Sequence, residues 1–158
     1  MEIRVTRDTM SDIYFDALRI RNQVFVKEQG VPYELEVGNA LEEASSVHFV
    51  LYDDGLAKGT VRLLADLDEK KALIQRMAIL KEARGHGYAT LLINRLIEFA
   101  KENRLNKLEL HAQLSAKGLY SKHGFNEVGQ IFEEAGIQHI QMERTIPVSY
   151  THLTLPTN

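Results

Sequence analysis

The sequence of 158 residues contains no cysteine. That absence excludes a disulfide framework, a thiolate zinc site and a cysteine nucleophile, so any thiol chemistry must come from a bound cofactor. Long apolar runs are also missing. None approaches the ~20 residues that span a bilayer, and the opening Met1-Glu2-Ile3-Arg4-Val5 lacks the apolar stretch of a secretory signal. A cytoplasmic protein with no membrane partner is expected. There is no excess of positive charge either. A net charge of −3 cannot build the broad basic field that phosphate-backbone binders use, which argues against nucleic acid as a partner. The six histidines, His48, His86, His111, His123, His139 and His152, show no metal-ligand spacing, and no metal is expected. What remains is an ordinary folded composition, 44% hydrophobic and 26% charged.

The patterning reads as one domain. Glu2 to Arg7 alternates apolar and polar residues like a half-buried strand. Ser11 suits a helix cap, and Ile13, Ala17, Leu18, Val24 and Phe25 recur at near-helical spacing until Gly30 and Pro32 stop the helix. Gly30 to Ala44, with Glu34, Glu36, Glu42 and Glu43, reads as a solvated acidic loop with at most a short helical turn. Val47 to Tyr52 and Leu56 to Ala65 are strands joined at Asp53-Asp54-Gly55, a strong hairpin signal. Asp66 to Glu69 turns the chain into a fourth strand, Ala72 to Leu80. The clearest helix follows, its apolar stripe formed by Ala89, Leu92, Ile93, Leu96, Ile97 and Ala100. Asn106 to Ala112 reads as a strand and Ser115 to His123 as a short helix. Phe125 to Phe132 and Ile137 to Thr145 are closing strands around Glu134-Ala135-Gly136. This order implies an α/β mixed sheet with helices on its faces over residues 1–146. Residues 147–158 are uncharged and rich in threonine, and read as a tail outside the fold. Their other reading is an edge strand through which two copies associate as a homodimer.

Arg84-Gly85-His86-Gly87-Tyr88-Ala89 joins the fourth strand to the clearest helix. Backbone N–H groups at such a helix start form an anion site, and the two glycines remove Cβ atoms where a ligand must approach. The loop has no Gly-Lys-Ser/Thr of a Walker A sequence, and Thr90 stands where a dinucleotide fingerprint wants its third small residue. A pyrophosphate site competes here with a merely tight strand-to-helix turn.

The neighbouring sequence decides between them. Arg84, Gly87 and Ala89 meet the Gln/Arg-x-x-Gly-x-Gly/Ala pattern of the GNAT superfamily of acyl-CoA N-acyltransferases, which this chain resembles. Gln75-Arg76-Met77-Ala78-Ile79 is similar to that family's fourth strand, and Tyr120-Ser121-Lys122-His123-Gly124-Phe125 to its Tyr-x-x-x-Gly-Phe segment. Arg21 to Tyr33 and Glu134 to Met142 resemble the ElaA-like and YjcF-like branch. The resemblance implies a six- or seven-stranded sheet splayed between its fourth and fifth strands. It implies acetyl-CoA as acyl donor, with its pantetheine arm along Met77, Ala78 and Ile79. Its pyrophosphate would rest on Arg84, Gly85, His86, Gly87, Tyr88, Ala89 and Thr90. It also implies Tyr120 as the acid that protonates the leaving thiolate. The acceptor would be an amine, on a small molecule or a protein.

Such a transfer needs a neutral amine. Holding a lysine-like amine deprotonated at pH 7 costs roughly 4.6 kcal/mol, so a base or a water chain must take its proton. Glu28, at the end of the first helix, is the first candidate and Glu36 the second. Each has a bland reading, Glu28 as a salt-bridge partner and Glu36 as part of a solvated loop. His111 and Gln113 alternate on the fifth strand and share a face, where His111 could relay a proton. His139 and Tyr33 are candidates for the acceptor pocket. Two functions stay open: an N-acetyltransferase, and a non-catalytic acyl-CoA-binding or regulatory module.

Overall fold

The computed structural model describes residues 1–147. The expected tail therefore lies outside the described residues, apart from Pro147. Seven strands form one mixed sheet in the order β1-β2-β3-β4-β5-β7-β6, with β1 Glu2–Thr6, β2 Val47–Asp53, β3 Leu56–Asp66, β4 Lys71–Ile79, β5 Lys107–Gln113, β6 Asn126–Glu134 and β7 Ile137–Thr145. Among the described residues β4 and β5 are the one parallel pair, as a connection through a helix requires. The hairpin signals are realised as backbone geometry. Asp54 and Gly55 both have positive φ, as do Ala135 and Gly136, which suits the tight turns that match strand twist.

Two helices cover the two faces. Helix α1, Asp12–Arg21, starts where the Ser11 side chain accepts from the Tyr14 N–H at 3.2 Å. It buries Ala17 and Ile20 with Val50, Tyr52 and Ala78. It then continues as a wider π-helical segment, Asn22–Glu28, rather than as the uniform helix expected to Gly30. Helix α4, Tyr88–Glu102, lays Leu92, Ile93, Leu96 and Ile97 on the opposite face against Phe49, Leu63 and Leu108. Between α1 and β2 the expected acidic loop is two short helices, α2 Tyr33–Val37 and α3 Ala40–Ser45, and α5, Lys117–Ser121, follows β5. No helix among the described residues is long and apolar enough to cross a membrane.

Candidate active site

The sheet is open where β4 and β5 part. They pair from Lys71 with Lys107 to Ile74 with Leu110, and no further. Beyond that point β4 stays on β3, through Thr60 with Ala78 and Gly59 with Ile79. β5 stays on β7, out to Gln113 with His139. The β5-facing edge of Gln75 to Ile79 is thus left without a strand partner. A cleft of about 720 Å³ fills the opening, lined from β4 by Gln75 to Ile79, from β5 by Leu110 to Gln113, and from the end of α1 by Val24, Phe25 and Gln29. A β-bulge sits at the same place. Arg76 has φ 58° and the β3–β4 register shifts between Thr60 and Arg62, a feature that the alternating sequence did not announce.

The glycine loop borders the cleft through Arg84 and Ala89, while Gly85, His86, Gly87, Tyr88 and Thr90 lie outside its lining. Gly85 and Gly87 have φ 87° and 77°, and a Cβ on either would meet nothing within 4 Å. The backbone therefore needs glycine there while the space in front of it stays open. Leu91 N–H bonds to Gly87 carbonyl, but the N–H groups of Gly85 to Thr90 donate to no protein acceptor among the described residues. Six successive free amides at the start of a fifteen-residue helix make an anion cradle. Tyr88 donates to Asp53 and stacks on His86 with ring centroids 5.6 Å apart, so both side chains brace the turn. Thr90 Oγ1 lies 3.2 Å from His123 Nε2, which ties the loop to the segment after α5.

Tyr120 stands at the cleft wall on the α4 side of the sheet. It is 6% exposed, and its ring meets Phe125 edge-on at 5.9 Å. Its hydroxyl has no hydrogen-bond partner among the described residues, and the residue lines the cleft. Burial raises its pKa and keeps it protonated near neutrality.

The opposite side of the opening carries the histidines. His111 Nδ1 is 2.9 Å from Glu134 Oε2, and His139 Nδ1 is 2.7 Å from the Ile137 carbonyl. A carboxylate and a carbonyl only accept, so Nδ1 of each ring donates, and the ring in that tautomer presents Nε2 as an acceptor whenever it is neutral. The Phe132 ring lies between them, edge-on to His111 and stacked on His139. Gln113 donates to Gln29 at 3.0 Å and bridges β5 to the end of α1. Cleft residues therefore include Met77, Ala78, Ile79, Arg84, Ala89, His111, Gln113, Tyr120 and His139.

Outside the glycine loop, two candidates fall elsewhere. Glu28 does not line the cleft; its carboxylate takes both ends of the Arg84 guanidinium, at 2.6 and 2.7 Å. The Arg84 hydrogen bonds hold its pKa below the usual value, which makes it a poor proton acceptor. Tyr33 begins α2 with its side chain outward, 60% exposed and outside the lining, because α2 turns Glu36 inward instead.

Glu36 and Glu43 correct the reading of a solvated loop, being 4% and 6% exposed. Arg21 donates Nε to Glu36 at 2.5 Å and Nη1 to Glu43 at 2.8 Å. Arg62 Nη1 also donates to Glu43, as does the Tyr14 hydroxyl at 2.6 Å. Arg76 completes the group at 3.5 Å from Glu36. Sequence reasoning missed Arg21, Arg62 and Arg76. One signal was present: Arg21 falls on the buried stripe of Ala17, Ile20 and Val24, where a cation needs a buried partner.

Comparison with known proteins agrees with this geometry. The family described as an acetyltransferase (GNAT) domain matches residues 13–146. The uncharacterized N-acetyltransferase YjcF of Bacillus subtilis is 34% identical over 128 residues, 80% of this chain and 89% of that protein. An acyl-CoA N-acyltransferase from Pseudomonas aeruginosa superposes with a TM-score of 0.79 at 28% identity, covering 90% of this chain and 98% of that one. Escherichia coli ElaA shares the fold at a TM-score of 0.79 and 24% identity, covering 91% and 99%.

Proposed function

This chain belongs to the GNAT acetyltransferase family, and we propose on that premise that it transfers an acetyl group from acetyl-CoA to a primary amine. The carrying observation is the pairing of six free loop amides with an unpaired β4 edge along one cleft. Pyrophosphate suits the amides of Gly85 to Thr90, and the two amide groups of pantetheine suit the free edge at Met77 to Ile79 as an added strand would. The thioester then falls at the opening between β4 and β5.

There the amine attacks the thioester carbonyl, a C–N bond forms and the C–S bond breaks. The departing thiolate takes the Tyr120 proton, which the hydroxyl has free to give. The amine proton passes to Nε2 of His111, directly or through water, while Glu134 holds the other nitrogen. Glu28 is left to position Arg84 beside the loop. An acetyl-CoA consumer works inside the cell, so the reading carries a cytoplasmic location with it.

The test is release of CoA thiol from acetyl-CoA across a broad panel of amines, run beside thermal unfolding with and without acetyl-CoA. Thiol release that depends on an amine, with a raised Tm, supports the transferase. A raised Tm with no release from any amine identifies a non-catalytic acyl-CoA-binding module instead.

A further inference from the structure

We propose that the acceptor is an amine that also carries a carboxylate, and that Arg76 binds that carboxylate on the α2 side of the cleft. The inference rests on the transferase reading above and names its substrate class. It starts from a charge count. Three arginines, Arg21, Arg62 and Arg76, share two carboxylates, Glu36 and Glu43. His48 beside them is buried, with its pKa lowered chiefly by burial, so it adds no charge at neutral pH. One positive charge is left over.

The surplus is localised on Arg76. Arg21 and Arg62 are sealed, with side chains 1% and 2% exposed, and their charge-assisted bonds consume Glu43 and the near oxygen of Glu36. Arg76 meets Glu36 Oε1 only at 3.5 Å, outside the range of a strong charge-assisted bond. Its remaining contacts are carbonyls, Leu35 at 3.2 Å and Glu36 at 3.3 and 3.4 Å, which cancel no charge. Its side chain is 25% exposed and lines the cleft. Burial and the charges of Arg62 and Arg21 also pull its pKa below the ordinary arginine value, against Glu36 and Glu43. A cation short of an anion, at the mouth of a cavity, is where an anionic ligand gains most.

Position and valence select a carboxylate on the amine itself. Arg76 lies two residues past Ile74, and His111 one residue past Leu110, the last β4–β5 pair. Both line the cleft just past that pair, one from each strand, the guanidinium for the acid and the imidazole for the amine. A single surplus charge balances a carboxylate and leaves a phosphate dianion half compensated. The same charge repels a purely cationic acceptor.

The test uses amines in pairs that differ only in the carboxylate, such as phenylalanine with phenethylamine and lysine with cadaverine. Wild-type kcat/KM from thiol release should favour the carboxylated member by about tenfold or more, the scale of a hydrogen bond to a charged group. In Arg76→Gln that ratio should fall toward one through KM, and Arg76→Lys should keep part of it, having the charge without the planar fork. A second readout needs no variant and no turnover: in CoA-saturated wild-type protein, carboxylated amines should raise Tm and their partners should not. A wild-type ratio of one or less, an unchanged ratio in folded Arg76→Gln, or preference for phosphorylated amines overturns the proposal. If no amine turns over, the Tm comparison decides, equal shifts for both members overturning it. Loss of the acetyl-CoA shift itself would sink the transferase reading instead.

Discussion

Tyr120 illustrates what one residue's surroundings decide. Its ring is held by Phe125 and the core, and the residue lines the cleft. Replacing it with phenylalanine keeps the packing and deletes one proton donor. Acetyl-CoA binding, read as the rise in Tm, should stay close to wild type while kcat falls by about 10²-fold, the usual scale for a positioned acid. Turnover within about twofold of wild type would leave protonation of the thiolate to solvent. The place of Tyr120 at the cleft was legible through the family's Tyr-x-x-x-Gly-Phe segment, with its fixed offset to Gly124 and Phe125. Glu28 and Tyr33 were not, since proximity in sequence to the end of α1 says nothing about which way a side chain leaves the helix. The Arg84–Glu28 pair joins residues 56 positions apart, a contact that no local pattern records.

At the scale of elements, the loop before α4 depends on two backbone conformations. Gly87 holds φ 77° at the helix N-cap, with open space in front of it. Gly87→Val places a branched residue in the left-handed region and fills the volume over the free amides. Positive φ in a non-glycine residue costs of order 1–3 kcal/mol, so some loss of stability is expected. The diagnostic result is a folded variant whose Tm no longer rises with acetyl-CoA. A folded variant that binds CoA as wild type does would remove the loop from the site. The loop and the stripe of α4 were readable because glycine spacing and helical period are local. The β4 bulge was not. Arg76 sits in a run that reads as continuous strand, and its positive φ coincides with the shift of the β3–β4 register, which no alternation records. For the same reason α2 and α3 were read as loop: at five and six residues they are too short for a period to show.

Across the whole molecule, the succession of strands along the chain and the two main helices were legible, because each rests on period and turn chemistry; the order of the strands in the sheet was not. The buried charge group was not, since its members come from α1, α2, α3, β3 and β4 and meet only after the sheet has formed. It makes stability depend on pH in a stated direction. Burial alone would raise the Glu43 pKa, but the Arg21 charge and hydrogen bond, the Tyr14 hydroxyl and Arg62 outweigh it and bring it from 4.5 to about 2. A carboxylate depressed in the folded state contributes stability that is complete above its unfolded value and is lost as pH falls toward its folded one. His48, lowered from 6.5 chiefly by burial, acts in the same sense but earlier, because the unfolded chain takes up its proton first. Stability should therefore decline in two stages, gently below pH 6.5 and steeply between 4.5 and about 2. Glu43→Gln tests the second stage. It leaves Arg21 and Arg62 buried against a neutral amide, and should cost about 3–5 kcal/mol at pH 7, the range for removing one partner of a buried pair. Urea midpoints measured from pH 8 to 3 on both proteins give both quantities. The variant's curve should flatten below pH 4.5 because the group that titrates there is gone. A loss under about 1 kcal/mol at pH 7, the scale of an exposed pair, would show that the group tolerates its charges as solvated ones. An acid limb as steep as wild type would assign that limb to other carboxylates.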